Sequence, residues 1–256
     1  MNPASENTSK TKYTAALLVI GNEILSGRTQ DKNINWIAVK LGERGITLSE
    51  VRVVPDIEGR VVEAVVTLSG QCDYVFTTGG IGPTHDDITA ECMAKAFKAP
   101  LAQDPEAYAM LKAHYGEQNL TPARLKMALV PAGARLIPNP VSGAPGFALG
   151  NVYVMAGVPR IMQAMLDHVL ATLKGGALVL SKTITCDLPE SRIAEGLAAI
   201  QGRWAEVEIG SYPHFQDGNF GVSLVLRSIH EDQLEYAAAE VQALVEQVLA
   251  QRKDAS

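Results

Sequence analysis

The stretch Thr78-Gly-Gly-Ile-Gly-Pro-Thr-His-Asp-Asp-Ile-Thr89 combines the residue types needed to hold a phosphate or a similar anion. Gly79, Gly80 and Gly82 carry no side chain, so main-chain N–H groups can approach a ligand closely. A helix starting near Asp87 would aim unpaired N–H groups and a partial positive charge at the same place. That helix-end charge is worth only about 0.3 to 1 kcal/mol at an exposed site, so main-chain hydrogen bonds must do most of the holding. Thr78, Pro83, Thr84 and His85 complete the loop as candidate ligand contacts, with His85 reading equally as loop filler. Asp86 and Asp87 would repel a bound phosphate unless a divalent cation bridges the charges or an aspartate caps the helix instead. Both readings stand for Asp87, and Asp86 is harder to explain as a cap. No lysine follows the last glycine, as a Walker loop requires, and Gly80-Ile-Gly82 lacks the third glycine of a Rossmann fingerprint.

Three further segments have the same character. Gly21-Asn22-Glu23 follow the apolar run Ala15 to Ile20, Pro55-Asp56 follow Ile46 to Val54, and Gly157-Val158-Pro159 follow Val152 to Met155. Ligands of open parallel sheets bind beyond the carboxyl ends of the strands. One such loop could be turn chemistry alone, but four at one edge of a sheet point to a site. Asp56 could also cap the helix that follows it. The stretch Asn139-Pro-Val-Ser-Gly-Ala-Pro-Gly-Phe147 is a second glycine-rich segment, in which Gly143 and Gly146 either approach the ligand or only turn the chain. No histidine or cysteine spacing suggests zinc.

These loops need a scaffold, and the sequence supplies one. From Tyr13 onward short β-branched runs alternate with segments of helical period, the pattern of crossover units around a mostly parallel sheet. Strands are expected at Ala15–Ile20, Ile46–Val54 and Asp73–Thr78. Helices are expected from about Lys32 to Arg44 and over Ile57 to Leu68. Asp104-Pro105 and Thr121-Pro122 announce two more helices, each a cap residue with proline at the first helical position. Gly150-Asn151 turns a hairpin between Phe147–Leu149 and Val152–Met155. A helix with Ile161, Met165, Leu166, Val169 and Leu173 inward then ends at Gly175-Gly176. The expected organisation is a tail over residues 1–12, a three-layer α/β domain over 13–175, a small two-layer α+β domain over 177–252 and a tail over 253–256. In the small domain the order reads strand 177–186, helix 189–201, strand 205–211, strand 220–228 and helix 231–252.

With 256 residues, 47% of them hydrophobic, the chain has ample material for such a core. A net charge of -6 and the lack of any basic run argue against a nucleic-acid partner. Cys72, Cys92 and Cys186 are too scattered for a disulfide framework, which fits a reducing, cytoplasmic setting. The run Ala15–Ile20 is too short to span a membrane.

At these residues the chain resembles the molybdopterin-binding family of MogA, MoaB and the third domain of MoeA, which share a strand ending in Thr-Gly-Gly-x-Gly followed by Asp-x-Thr. Here those are Thr78-Gly79-Gly80-Ile81-Gly82 and Asp87-Ile88-Thr89. By motif position the two aspartates important in MogA-like proteins correspond to Asp56 and Asp87. The resemblance is closer to the N-terminal region of CinA proteins and the N-terminal domain of eukaryotic FAD synthase. It rests on Gly21-Asn-Glu-Ile-Leu25, Gly79 to Thr89, Gly143-Ala-Pro-Gly-Phe147, Glu190-Ser-Arg-Ile-Ala194 and Ile209-Gly-Ser-Tyr-Pro213. Where that family commonly has Leu-Pro-Gly-x-Pro-x-Glu, this chain has Met155-Ala-Gly-Val-Pro-Arg-Ile161, so one pocket carboxylate is missing. The deamidase and adenylyltransferase domains of those relatives are not represented, and neither activity is carried over.

The resemblance implies a nucleotide pyrophosphatase acting on FAD or ADP-ribose with magnesium, manganese or cobalt. In that reading Asp56, Asp86 and Asp87 are catalytic, with Asp86 and Asp87 holding the metal. Gly21, Asn22, Glu23, Thr78, Gly79, Gly80, Gly82, Pro83, Thr84, His85, Gly143, Gly157 and Pro159 contact the ligand. The alternative is a binding module that holds the phosphate of molybdopterin without turnover. A third reading, a degenerate site kept for interaction, draws on Met155-Ala156 and Arg160-Ile161. Relatives imply a homodimer or homotrimer.

Overall fold

The computed structural model describes residues 10–216 and 219–254, which form two compact units divided between Gly176 and Ala177. Of the expected tails, residues 1–9 and 255–256 lie outside the described residues.

The large unit runs β1 (Tyr13–Ile20), α1 (Asn22–Leu25), α2 (Asn33–Gly42), β2 (Ile46–Val54), α3 (Glu58–Gln71), β3 (Tyr74–Thr78) and α4 (Thr89–Ala96). It continues through β4 (Leu101–Gln103), α5 (Pro105–Tyr115), α6 (Pro122–Lys126), β5 (Leu129–Pro131), β6 (Arg135–Ile137), β7 (Gly146–Leu149), β8 (Val152–Met155) and α7 (Pro159–Leu170). Six strands form one sheet in the order β2-β1-β3-β8-β7-β6. The pairs β1/β2, β1/β3 and β3/β8 are parallel, and the β7 and β6 edge is antiparallel.

The continuous apolar run of β1 follows from burial on both faces. Ala16, Leu18 and Ile20 pack into one core with α3 and α4, while Ala15, Leu17 and Val19 pack into a second core with α2 and α7. Three layers result. Leu17 is wholly buried, and truncating such a leucine to alanine costs about 2–5 kcal/mol.

Helix starts follow the local chemistry. Asp104 accepts from the N–H groups of Glu106 and Ala107 at 2.9 Å each, and Thr121 accepts from Arg124 N–H at 3.3 Å, as their Asx-Pro and Thr-Pro pairs indicate. In α7 the buried positions are Met162, Met165, Leu166, Val169 and Leu170, and Ile161 is only partly buried. The helix expected from Asp87 starts at Thr89 instead. The three-residue strands β4, β5 and β6 are too short to leave a period in the sequence.

The small unit runs β9 (Leu180–Cys186), a 3-10 turn (Glu190–Arg192), α8 (Ala194–Arg203), β10 (Glu208–Gln216), β11 (Asn219–Ser228) and α9 (Glu231–Asp254). Its antiparallel sheet has the order β10-β11-β9. Val222, Leu224 and Leu226 of β11 pack with Leu197 and Ile200 of α8 and Leu234, Ala237 and Val241 of α9. The helix expected over 189–201 splits at Ile193 into the 3-10 turn and α8, and β10 begins three residues later than expected and extends to Gln216.

Candidate functional site

Because β2, β1, β3 and β8 are adjacent and parallel, the chain leaves all four at one rim of the sheet. The exits alternate between faces. α2 and α7, which follow β1 and β8, lie in one core layer, and α3 and α4, which follow β2 and β3, lie in the other. Neighbouring exits therefore head to opposite faces, the arrangement at which ligands of such sheets usually bind.

The loops are stitched together by main-chain contacts. Gly21 N–H donates to Val54 O at 3.1 Å and Gly79 N–H donates to Met155 O at 3.2 Å. A Cβ on Gly79 would lie 2.1 Å from Ile20 O, and one on Gly157 would lie 3.2 Å from Gly79 Cα. At Gly79 only glycine permits this approach, while at Gly157 a side chain would be tight. Asn22 N–H donates to Asp56 Oδ2 at 2.9 Å, so Asp56 supports the turn after β1 and not the start of α3, whose N-terminal cap is Ile57. The rim thus brings together Gly21, Asn22, Asp56, Gly79 and Gly157.

Within the glycine loop, Gly79 and Gly80 have left-handed φ values of 101° and 67°. Thr89 ties the end of the loop back to its start. Its N–H donates to Gly80 O and its hydroxyl donates to Gly79 O, both at 3.0 Å. Asp87 is not the cap of α4, which starts after Ile88 without a side-chain cap. Its carboxylate instead accepts from Thr84 N–H at 2.8 Å and from the Thr84 hydroxyl, which also reaches Asp86. The Thr84 hydroxyl, with help from the main-chain N–H of Asp86, holds the Asp86 carboxyl below the usual range, and His85 and Lys126 add smaller effects. The His85 side chain is 98% exposed, with Nδ1 4.0 Å from Asp86 Oδ1.

Other expected contacts have different surroundings. Glu23 folds back over Gly21, its carboxylate 2.5 Å from where a Cβ would stand. Pro159 opens α7 as its first residue. Gly143 has φ 73°, and its close approach is to His114 of α5, with Cβ to Cβ only 2.4 Å if a side chain were added. That glycine serves packing of the Asn139 turn. Its neighbours Pro145 and Phe147 do reach the glycine loop, where they line a cavity of about 20 Å³ with Gly80, Gly82, Asp87 and Lys126. The volume suits a single water.

Sequence reasoning missed four residues here. Lys126, at the end of α6, donates to Thr84 O at 3.0 Å and stands 3.8 Å from Glu91 Oε1, supplying the cation that the loop itself lacks. Glu91 Oε2 is buried without a partner. Asp31 accepts from Asn33 N–H at 2.9 Å and Ile34 N–H at 2.7 Å, fixing the start of α2. Asn33, only 4% exposed, then donates to Gly157 O at 2.8 Å while its own Oδ1 lacks a partner. Thr78 Oγ1 is likewise buried and unpartnered. A signal for Asp31 was readable, since an aspartate two residues before a helical run is an N-terminal mark. Nothing in the sequence pairs Lys126 with a loop 42 residues earlier.

The Thr84 hydroxyl gathers two carboxylates, Asp86 and Asp87, whose oxygens suit a hard divalent cation. Among the described residues no group of three His, Cys, Asp or Glu side chains is arranged to hold a metal. No hydrogen bond or ion pair joins Asp56 to Asp86 or Asp87 among them. A cation at Asp86 and Asp87 would therefore take its remaining ligands from water or substrate phosphate, as magnesium commonly does. No helix among the described residues is long and apolar enough to cross a membrane.

Comparison with known proteins agrees with this geometry. Residues 16–175 match the family model described as a probable molybdopterin binding domain, and residues 178–254 match the FAD synthase middle domain. A protein of Pyrobaculum aerophilum is 35% identical over 245 residues, covering 91% of both chains. A CinA-like protein of Desulfosudis oleivorans is 36% identical over 197 residues, which are 72% of this chain and 48% of that longer protein. The crystal structure of CinA from Thermoplasma acidophilum, described as of unknown function, superposes with a TM-score of 0.58 at 40% identity, over 62% of this chain and 96% of that one. With its glycine rim on a mostly parallel sheet, followed by a small β-rich unit, the chain belongs to the CinA-like branch of the molybdopterin-binding-domain family and carries a FAD synthase middle domain.

Proposed function

We propose that the rim binds the pyrophosphate of a dinucleotide such as FAD or ADP-ribose and promotes its hydrolysis with a divalent cation. The observation that carries this reading is the pairing of left-handed Gly79-Gly80 with Asp86 and Asp87, both bonded to Thr84, on the one loop that follows β3. Main-chain N–H groups of the glycine loop hold one phosphate. Lys126, anchored on Thr84 O, offsets its charge and keeps the loop in place. Thr84 orients the two carboxylates toward the cation, and Asn22 holds Asp56 at the neighbouring exit. A divalent cation there would supply Lewis-acid polarisation of a phosphoryl oxygen. Hydrolysis adds one water across the P–O–P bridge and releases two monophosphates. The relationship to FAD synthase supports a nucleotide substrate.

The test is incubation of the purified protein with FAD or ADP-ribose and magnesium, manganese or cobalt, with AMP followed by chromatography. AMP release that falls at least a hundredfold in Asp87→Asn and Asp86→Asn supports the reading; no AMP under any metal rejects it. The family model also favours a second reading, in which the same loop holds molybdopterin without turnover. Calorimetry with molybdopterin decides that case, because an affinity untouched by Gly80→Val removes it. A homodimer or homotrimer is the proposed assembly, checked by light scattering.

A further inference from the structure

Two motifs of the small unit, Glu190-Ser-Arg-Ile-Ala194 and Ile209-Gly-Ser-Tyr-Pro213, have no part in the proposed reaction, yet the fold brings them to one cleft. The cleft, about 520 Å³, lies between the 3-10 turn, α8 and β10, and both motifs line it through Glu190, Ser191, Ala194, Ile209 and Ser211. That volume is typical of a small-molecule site.

Its floor is chemically unusual. Side chains of a strand alternate between faces, so Ile209 and Ser211 share one face of β10, and Ile209 pairs across the sheet with Leu226, which is wholly buried in the core. Ser211 also pairs across the sheet with Leu224, another wholly buried residue. A hydroxyl therefore occupies a core-facing position. Its oxygen is shielded from solvent and has no hydrogen-bond partner. Buried polar groups normally have one.

The walls explain why the recess stays open. Leu197 and Ile200 turn one side of α8 into the core, while Ala194 and Ala198 on the adjacent stripe are too short to fill the space above Ser211. Gln201 is not free to bind anything. Its Nε2 donates to Val207 O at 2.7 Å and its Oε1 accepts from Ile209 N–H at 2.9 Å, which holds the start of β10 against α8. What remains for a ligand is an apolar wall, two serine hydroxyls and the Glu190 carboxylate.

We propose that this cleft binds a planar heterocycle whose edge presents an amino group beside a ring N–H, as guanine does. Alanine and isoleucine surfaces accept the ring face. A carboxylate accepts hydrogen bonds only, and its two oxygens match two adjacent donors. The Ser211 hydroxyl, which can donate or accept, is shielded where it stands and gains its missing partner on the ring by turning about its Cα–Cβ bond toward the cleft.

The probe is guanosine, titrated calorimetrically into the full chain, with inosine and adenosine as comparators. Guanosine should saturate at one per chain, and inosine, which lacks the amino group, should bind at least tenfold more weakly. Ala198→Trp fills the cleft from an exposed position and should abolish binding with the circular-dichroism melt unchanged. Glu190→Gln, on the exposed turn, should erase the preference for guanosine over inosine and keeps the test decisive should Ala198→Trp fail to fold. Gly80→Val, which disables the phosphate loop, should leave guanosine affinity unchanged even where the pyrophosphatase reading fails. No saturable guanosine binding overturns the proposal, as does binding that is lost in Gly80→Val but kept in Ala198→Trp.

Discussion

Replacing Gly79 by alanine should cost more stability than the same change at Gly27, and the difference measures how closely the strand ends meet. Both glycines have positive φ, 101° and 72°. Each variant therefore carries a left-handed strain of about 1–2 kcal/mol, and both gain the same small benefit from a less flexible unfolded chain. Their surroundings differ. Nothing lies within 4 Å of a Cβ at Gly27, whereas at Gly79 the added atom would stand 2.1 Å from Ile20 O, a main-chain oxygen of the central strand. That oxygen cannot rotate away. Relief requires moving β1 or β3, an overpacking cost of about 1–3 kcal/mol. The expected gap between the two variants is thus about 2 kcal/mol, or roughly 4–8 °C in the melting of a unit this large. Urea unfolding followed by Trp36 fluorescence in a Trp204→Phe background reads the large unit alone. Equal losses for the two variants, with equal m values, would refute the close approach and with it the geometry of the rim.

Four smaller tests follow from the same contacts. Thr84→Val removes the hydroxyl shared by the two aspartates, so the Asp86 carboxyl should titrate closer to an ordinary aspartate by NMR; an unchanged midpoint contradicts the assigned bond. Since the folded value is depressed, the stability tied to Asp86 is present above the unfolded pKa and is lost as pH falls through the folded one. Asp31→Ala should cost about 1 kcal/mol through loss of its two hydrogen bonds to the first N–H groups of α2, measured by urea unfolding. Burial pushes the Cys92 thiol up to about 12 and also raises Cys186, so at pH 8 a thiol reagent should label the half-buried Cys72 well before the other two. Lys126→Met should lower AMP release at least tenfold while leaving the melting temperature within a few degrees, and unaltered release removes the lysine from the phosphate site.

Much of the fold was legible because burial on two faces and capping leave marks in local sequence. The unbroken apolar run of β1 and the Asp104-Pro105 and Thr121-Pro122 pairs each correspond to an observed element edge. The glycine loop was legible for the same reason, since Gly79 and Gly80 answer to a backbone demand that no other residue meets. Long-range partners were not. Asp87 looked like a cap because it precedes a helical run, but Thr84 offers it both an N–H and a hydroxyl three residues away, and that local turn wins. Asp56 looked like a cap for α3 and instead serves a loop 34 residues earlier. Gly143 read as a ligand approach, while its open space is taken by His114 across the fold.

The alternation of chain exits between the two faces of the sheet bears on how such a scaffold diversifies. Each bordering segment leaves its strand toward the opposite side from its neighbour, so beyond the bonds that tie the strand ends together, lengthening one does not push directly on the next. New ligand preferences can then arise by insertion at a single border, with hydrogen-bond pairing of the strands undisturbed. The exception is the segment between Gly79 and Thr89, whose two ends are bonded to each other. Natural length variation should therefore concentrate in the borders after β1, β2 and β8 and spare that closed ring.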